Sequence, residues 1–335
     1  MLSKDATVKN GPLNQLGLLL VLFVSSGATC WQTQPFNQQV ELPPAVFQGT
    51  PTLADALTAV NATRWVYQLE ARNARVSVAG YPALRAKLVL QKPKRFRMQA
   101  GMFNFSGPEL DIGSNDELFW MWFKQHPQPA VYYAGHDQFA QPRVRQMLPV
   151  EPLWLIDALG LVYLDPTHQH EGPFVKQEGE LEIRTRIPSP AGDMVRTTVI
   201  HDRYAWVLRQ QLHDSQGQLQ ASVQASRHRF YPGYGVSLPH HVRIQMAPGQ
   251  PNQLEFTIEV GSYQVNQITG EASQLWTLPS ISGVPQVNLV DPDQAAVEPV
   301  PVKPPGTDSA ETMDRRIGYP YTGYVPRFRG DTLRR

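Results

Sequence analysis

The chain carries three carboxylates within eight residues, at Glu109, Asp111 and Asp116 in the run ELDIGSND. Paired carboxylates could exchange protons with a substrate in a hydrolase, and carboxylate oxygens could also hold calcium. Aspartate, glycine, serine and asparagine are equally the residue types that form turns. We interpret the run as a turn before the apolar stretch at residues 118–123, and we keep a hydrolase as a minor alternative.

Two pairs of histidines are close enough in sequence to be considered as metal ligands. His168 and His170 would point to the same side of a strand, but they lie in the polar, turn-like segment DPTHQHEGP. His240 and His241 are adjacent, and adjacent residues on a strand point to opposite faces of the sheet. We therefore predict that the chain holds no metal.

Motifs for nucleophilic or nucleotide chemistry are missing from the sequence. It contains no GxSxG, P-loop or GxGxxG motif, and its single cysteine excludes an internal disulfide. The 30 basic and 29 acidic residues nearly balance, and the basic residues are spread along strand-like stretches rather than forming the dense basic stripe of a nucleic-acid binder. We predict no catalytic residue, no cofactor and no nucleic-acid partner.

The single cysteine, Cys30, follows an export-like leader. Lys4 and Lys9 precede an apolar run at residues 16–24, and small residues fill positions 25–29. This order is typical of a secretory signal peptide. A cysteine in this place resembles the bacterial lipobox, in which it would be acylated, for example with palmitate, and become the mature N terminus. Gly27 and Thr29 depart from the usual lipobox, so an ordinary signal peptide with an incidental cysteine remains the alternative.

Large aromatic rings are concentrated between residues 103 and 154, and their clustering has two interpretations. They could fill the core between a sheet and a helix, or they could line an apolar, concave cavity for an acyl chain. The candidates for such a hydrophobic ligand cavity are Phe103, Phe105, Trp120, Trp122, Trp154, Leu155 and Leu159.

Apolar and polar residues alternate along most of the chain between Arg64 and Val260, and this period predicts antiparallel strands with one buried face. Clear examples are LRAKLVL, RFRMQA and LEFTIEV. Helical spacing occurs at residues 52–63 and again at 152–162, where we expect a plug over the sheet. The predicted fold is mainly β, a strongly curved antiparallel sheet of about ten strands or half-open barrel, with a few helices on its concave face.

Composition divides the chain into four parts. We predict a lipoprotein signal peptide at 1–30, a tether at 31–50, a curved-sheet domain at 51–275 and a proline-rich, largely disordered tail at 283–335.

The helix followed by RWVYQLEARNARV and LRAKLVLQKPKRFRMQAG resembles the opening of the LolA/LolB lipoprotein-carrier superfamily, over roughly residues 50–270. The stretches GSNDELFWMWFKQ and LPVEPLWLIDALGL are similar to those of large planctomycete-type lipoproteins related to that group. The resemblance implies a half-open barrel that holds acyl chains. The chain departs from the compact carriers in its long insertions and its proline-rich tail.

These patterns together predict a non-catalytic, membrane-anchored lipoprotein that binds a lipid or lipoprotein acyl chain in a concave apolar cavity. The alternative is a structural or assembly lipoprotein that binds envelope proteins through a sheet edge and the tail. We expect the chain in the cell envelope, lipid-anchored and facing the periplasm, with the outer membrane favoured over the cytoplasmic membrane.

Overall fold

The computed structural model describes residues 42–291, with gaps at 79–80, 102–106, 149, 178, 190–191, 251–252 and 269–271. The side chains of residues 272 and 273 are also outside the described set. The predicted signal peptide with Cys30, most of the tether, and the tail from residue 292 onward therefore lie outside the described residues, as do Phe103 and Phe105.

The described part is mainly β, as predicted, and its fifteen strands are more than the ten expected. The strands are β1 Gln68–Val78, β2 Leu84–Gln91, β3 Arg95–Gly101, β4 Leu110–Ser114, β5 Leu118–Phe123, β6 Val131–Gly135, β7 Gln169–Val175, β8 Glu180–Ile187, β9 Met194–His201, β10 Val207–His213, β11 Leu219–Tyr231, β12 Val236–Met246, β13 Leu254–Glu259, β14 Ser262–Val265 and β15 Gln286–Asn288. The α-helices are α1 Leu53–Val60, α2 Pro142–Met147, α3 Trp154–Ala158 and α4 Ala272–Leu275. None of the helices in the described residues is long and apolar enough to cross a membrane.

All fifteen strands belong to one curved sheet that does not close into a barrel. Its order is β15-β6-β5-β4-β3-β2-β1-β13-β12-β11-β10-β9-β8-β7, and β14 pairs with β1 off this path. Chain neighbours are mostly sheet neighbours because short hairpins connect them. Two antiparallel meanders, β1–β6 and β7–β13, join where β1 pairs with β13. The pairing of β15 with β6 is parallel.

The concave face holds the main core. Alternate residues of β2 and β3, such as Leu88, Leu90, Phe96 and Met98, are almost fully buried there, as the sequence period predicted. The same core contains the inward-facing side chains of β4 to β6 and of β10 to β14, together with most of residues 144–161. One short helical segment thus touches both halves of the sheet, so the sheet must curve around it. We call residues 142–161 the plug.

The helix α1 covers a second, smaller part of the sheet. Thr52 caps it, since the Thr52 hydroxyl accepts the amide hydrogen of Asp55 while the Asp55 carboxylate accepts from the Thr52 amide. Ala56 and Val60 then pack against the apolar inner residues of β8 and β9, including Ile183 and Ile200. The helix lies within the segment 52–63, where the helical spacing predicted it.

The convex face of β3 to β6 is covered by residues 274–284, which we call the strap. Leu278, Ile281 and Val284 pack on Trp120 and Trp122. The strap leads into β15, which lies beyond position 283, where the sequence predicted the tail to begin. The sequence did not predict the strap because it packs through scattered apolar side chains without a regular period.

Two local predictions were wrong. The run at 109–116 is not simply a turn, because Leu110–Ser114 is the fully buried strand β4 and only the residues after it turn back towards β5. The predicted helix over 152–162 is shorter, since α3 ends at Ala158. Gly160 has a φ of +88° there, a backbone conformation that terminates helices and that only glycine adopts freely.

Candidate functional site

The stretch LFWMWF is buried on both sides, and this divides its aromatic rings between two faces. Phe119 and Met121 belong to the concave core, whereas Trp120 and Trp122 point to the convex face and are covered by the strap. The division follows from the pleat, because successive side chains of a strand alternate between faces.

The predicted cavity residues are therefore only partly brought together. Trp154, Leu155 and Leu159 lie in the plug and pack within the concave core. Trp120 and Trp122 lie on the opposite face of the sheet from them. Phe103 and Phe105 fall outside the described residues, in the connection between β3 and β4.

The Asp111 side chain is fully buried on the convex face and holds a polar cluster beneath the strap. It accepts hydrogen bonds from Arg97 Nη2 at 2.7 Å, from Gln99 Nε2 at 2.9 Å and from Trp120 Nε1 at 3.1 Å. Arg97 Nη1 also donates to the backbone oxygens of Gln274 and Leu275 in the strap. Every oxygen of this carboxylate is occupied by internal donors, so the cluster fastens the strap and leaves no free acid for catalysis.

A serine and a histidine meet nearby, but their hydrogen bonds do not suit nucleophilic catalysis. Ser114 Oγ lies 3.4 Å from His136 Nε2. That nitrogen is 2.9 Å from the carbonyl oxygen of Asn115, so it must donate its hydrogen there. Ser114 in turn donates to the Lys94 carbonyl. Burial lowers the pKa of His136, which keeps the ring neutral in this arrangement.

Each of the two histidine pairs has a member that is hydrogen-bonded within the chain. His170 contacts Thr185 Oγ1 and the Asp165 carbonyl, and His240 is buried between Tyr231 and the Val260 carbonyl. Within the described residues, no group of three potential metal ligands is present.

Among the described residues, a set of inward-facing apolar side chains at one end of the sheet is only half-buried, and sequence reasoning missed this feature. Along β2 the inward-facing side chains change from half-buried at Leu84 to fully buried at Leu88 and Leu90. The strand pairings place other half-buried, inward-facing apolar side chains at the same end of the sheet. We call this set the rim, and it consists of Val78, Leu84, Phe123, Ile187, Met194 and Leu254.

The plug is held against the second half of the sheet by a charged contact just inside the rim. Asp157 of α3 accepts a hydrogen bond from Arg196 Nη1 of β9 at 2.9 Å, and its backbone oxygen accepts from Gln210 Nε2 at 3.1 Å. Burial raises the pKa of Asp157, while the positive charges of Arg196 and Lys92 act in the opposite direction. The sequence signal for this contact is Asp157 itself, because it is a single acidic residue within the apolar segment WLIDAL.

Several buried polar atoms, one in the plug and three on the strands beneath it, have no hydrogen-bond partner among the described residues. They are Trp154 Nε1, Arg196 Nε, Thr198 Oγ1 and Gln210 Oε1. Each unpaired buried group weakens the packed arrangement by about 1–3 kcal/mol.

No protein-family model and no curated protein matches this chain. Solved structures to which it is similar include a domain from Vibrio parahaemolyticus ascribed to outer membrane lipoprotein sorting, at 8% identity and a TM-score of 0.44, covering 65% of this chain and 95% of that one. A LolA superfamily protein from Nitrosomonas europaea has 9% identity and a TM-score of 0.41, covering 68% of this chain and 98% of that one. A DUF1329 family protein from Desulfovibrio piger has 10% identity and a TM-score of 0.41, covering 68% of this chain and all of that one.

One of these structures is described as a LolA superfamily protein, the group that the sequence resembles. Similarity at these identities and TM-scores assigns no function to the chain.

Proposed function

We propose that the chain binds a hydrophobic ligand, a lipid or a lipoprotein acyl chain, between the rim and the plug, without covalent chemistry. The observation that supports this proposal is the rim, whose apolar, inward-facing side chains are only half-buried. An acyl chain that completes this burial gains about 0.8 kcal/mol for each CH₂ group removed from water.

Deeper entry of the ligand requires the plug to move away from the sheet. The unpaired polar atoms beneath the plug lower the free energy that this movement costs. Thr198 and Gln210 lie opposite each other on β9 and β10, each with an unsatisfied buried oxygen. Water reaches these groups once the plug lifts, which recovers part of the free energy lost by breaking its apolar contacts. The ligand would then replace the plug on the apolar inner surface.

Native mass spectrometry of the full chain, purified from its native membrane, tests the binding of lipid. We expect a bound species with the mass of a lipid or acyl chain. Met194→Asp places a charge in the rim and is expected to reduce occupancy at least tenfold, because burying an unpaired carboxylate against an acyl chain is costly. Val175→Asp is the matched control, since Val175 is apolar and 69% exposed but lies on β7, outside the rim.

A second variant tests the role of the plug. Thr198→Val removes a buried, unpaired hydroxyl at nearly constant volume, and we expect it to stabilise the docked plug by about 1 kcal/mol. Lipid uptake should become slower in this variant while the rim is unchanged. Equal uptake by Thr198→Val, Met194→Asp and the unaltered chain would refute the proposed site.

Anchoring through an acylated Cys30, and a place in the cell envelope facing the periplasm, form part of the same proposal. Their support is the order of basic leader, apolar run, small residues and cysteine in the sequence. Several acyl chains would hold the protein firmly, whereas a single chain binds a membrane only marginally.

A protein-binding role remains a second candidate because of the sheet edge at β7. In the described residues β7 pairs only with β8, and Phe174 and Val175 on it are 42% and 69% exposed. Exposed sheet edges of this kind can pair with a strand of another protein. If Val175→Asp abolishes crosslinks to an envelope protein while the chain proves free of lipid, the second candidate is favoured.

A further inference from the structure

The convex face of β8, β9 and β10 carries a recess of about 740 Å³, on the side of the sheet away from the plug. Two adjacent cross-strand rows form it: Arg184–Thr197–Gln211 and Arg186–Val195–His213. The middle strand contributes short side chains and the flanking strands contribute long ones. The result is a trough with β9 as its floor, guanidinium groups along one wall and an amide and an imidazole along the other.

Arg184 is held in a fixed orientation in this trough. Its Nε donates to Glu182 Oε1 at 2.8 Å, and its guanidinium carbon lies 5.2 Å from the ring centroid of Phe174. A guanidinium has five N–H donors in a planar fork. The contacts with Glu182 and Phe174 use one donor and one face of the plane. Within the part of the chain that the structure describes, the terminal nitrogens make no other hydrogen bond and could bind a planar or tetrahedral oxyanion.

Two of the acids that line the trough are already engaged by other donors. Glu182 accepts from Arg184 and also pairs with Lys176 Nζ at 3.1 Å. Asp214 accepts from the backbone amides of Gln216 and Gln218 and from the Gln220 side chain. Neither carboxylate is available to neutralise the second arginine.

Donor groups on the other row lack such partners. Arg186 lies 3.6 Å from Asp193, which is an ion pair too long for a hydrogen bond. The side chains of Gln211 and His213 have no hydrogen-bond partner within the described residues. Hydrogen-bond donors therefore outnumber free acceptors in the trough, and a ligand that brings acceptor oxygens would satisfy them.

We propose that this trough is a binding site for a phosphate group, carried either by a lipid headgroup or by a soluble phosphorylated molecule. Arg184 and Arg186 would bind the phosphate oxygens, and Thr197 and Gln211 would donate to oxygens on either side. This site is separate from the acyl-chain site proposed above, which lies on the opposite face of the sheet.

The test uses the full chain and two probes. Binding of inorganic phosphate is measured by titration calorimetry, and binding to phosphatidylglycerol vesicles is compared with binding to phosphatidylcholine vesicles. We expect the double variant Arg184→Gln/Arg186→Gln to bind at least tenfold more weakly than the unaltered chain. Arg85→Gln is the control, since Arg85 is an exposed arginine on β2, away from the trough.

The two probes distinguish the sources of the phosphate. Phosphate binding that the double variant loses supports a soluble ligand, and selective binding to phosphatidylglycerol that the double variant loses supports a headgroup. Equal effects of the double variant and Arg85→Gln, or no binding of either probe, would overturn the proposal. Thr197→Glu, which adds a carboxylate to the trough floor, repeats the test if the double variant does not fold.

Failure here is distinguishable from failure of the acyl-chain proposal. Leu254→Asp alters the rim on β13, away from the trough, and should leave phosphate binding unchanged, whereas the arginine double variant should leave the bound acyl chain in place.

Discussion

Asp111 provides the sharpest test of how the convex face is held together. Replacing it with alanine removes a fully buried carboxylate that accepts hydrogen bonds from Arg97, Gln99 and Trp120. The Arg97 side chain is only 11% exposed, so its guanidinium would stay buried without a counter-ion. Arg97 also donates to backbone oxygens of the strap, and we therefore expect the strap to loosen together with the ion pair.

The expected loss of stability from Asp111→Ala is about 3–5 kcal/mol, the usual effect of removing one partner of a buried ion pair. Urea denaturation measures it. For a domain of this size, with an m-value of about 3 kcal/mol/M, the midpoint should fall by about 1–1.7 M.

A second ion pair near the same two strands provides a matched control. Arg95 and Asp116 form an ion pair at 2.6 Å, but the Asp116 side chain is 55% exposed. Solvent screens such a pair, and Asp116→Ala should cost no more than about 1 kcal/mol. If the two variants lower the midpoint by the same amount, burial does not set the strength of these pairs and the reasoning about the strap is wrong.

Three further predictions concern other parts of the chain. Gly113→Ala would place a Cβ about 2.2 Å from the Trp120 ring, so we expect it to destabilise the protein by about 1–3 kcal/mol in the same urea experiment. Gly49→Ala is the control and should be neutral, because no atom lies within 4 Å of its added Cβ. Burial lowers the pKa of His228 from 6.5 to about 4. Between pH 6.5 and pH 4 the His228 imidazole therefore binds a proton in the unfolded chain but not in the folded one. The free energy of unfolding should fall by about 3 kcal/mol over this range. His228→Gln should flatten that dependence, and an unchanged pH profile would contradict the assignment. Cys30→Ser should abolish acylation and release the chain from membranes, as measured by intact mass and fractionation, and retention in the membrane would contradict lipid anchoring.

The period of two was sufficient to predict the sheet and its inner face. The predicted inward-facing side chains of β2 and β3 do face the core, at alternate positions of Leu84 to Leu90 and Phe96 to Ala100. Side chains on a strand must alternate between faces whatever the tertiary structure. The capped helix α1 was predictable for a similarly local reason, the reciprocal hydrogen bonds between Thr52 and Asp55.

Features that depend on distant pairing were not predictable from the sequence. Asp111 looked like a turn residue because its partner Arg97 is identified only by the register between β3 and β4. Trp120 and Trp122 were grouped with the plug residues because an apolar run on both faces gives no sign of which face meets which cover. The rim depends on how far the plug reaches along the sheet, and that distance follows from packing rather than from any local pattern.

Labelling with a photoactivatable fatty acid, followed by mapping of the crosslinked peptides, tests the central claim most directly. The proposed acyl-chain site predicts adducts on the inward-facing ends of β1, β2, β5, β8, β9 and β13, at or next to Val78, Leu84, Phe123, Ile187, Met194 and Leu254. Competition by unlabelled fatty acid should remove these adducts. Adducts confined to the strap or to the edge strand β7, or labelling that unlabelled fatty acid does not reduce, would contradict a ligand site on the concave face.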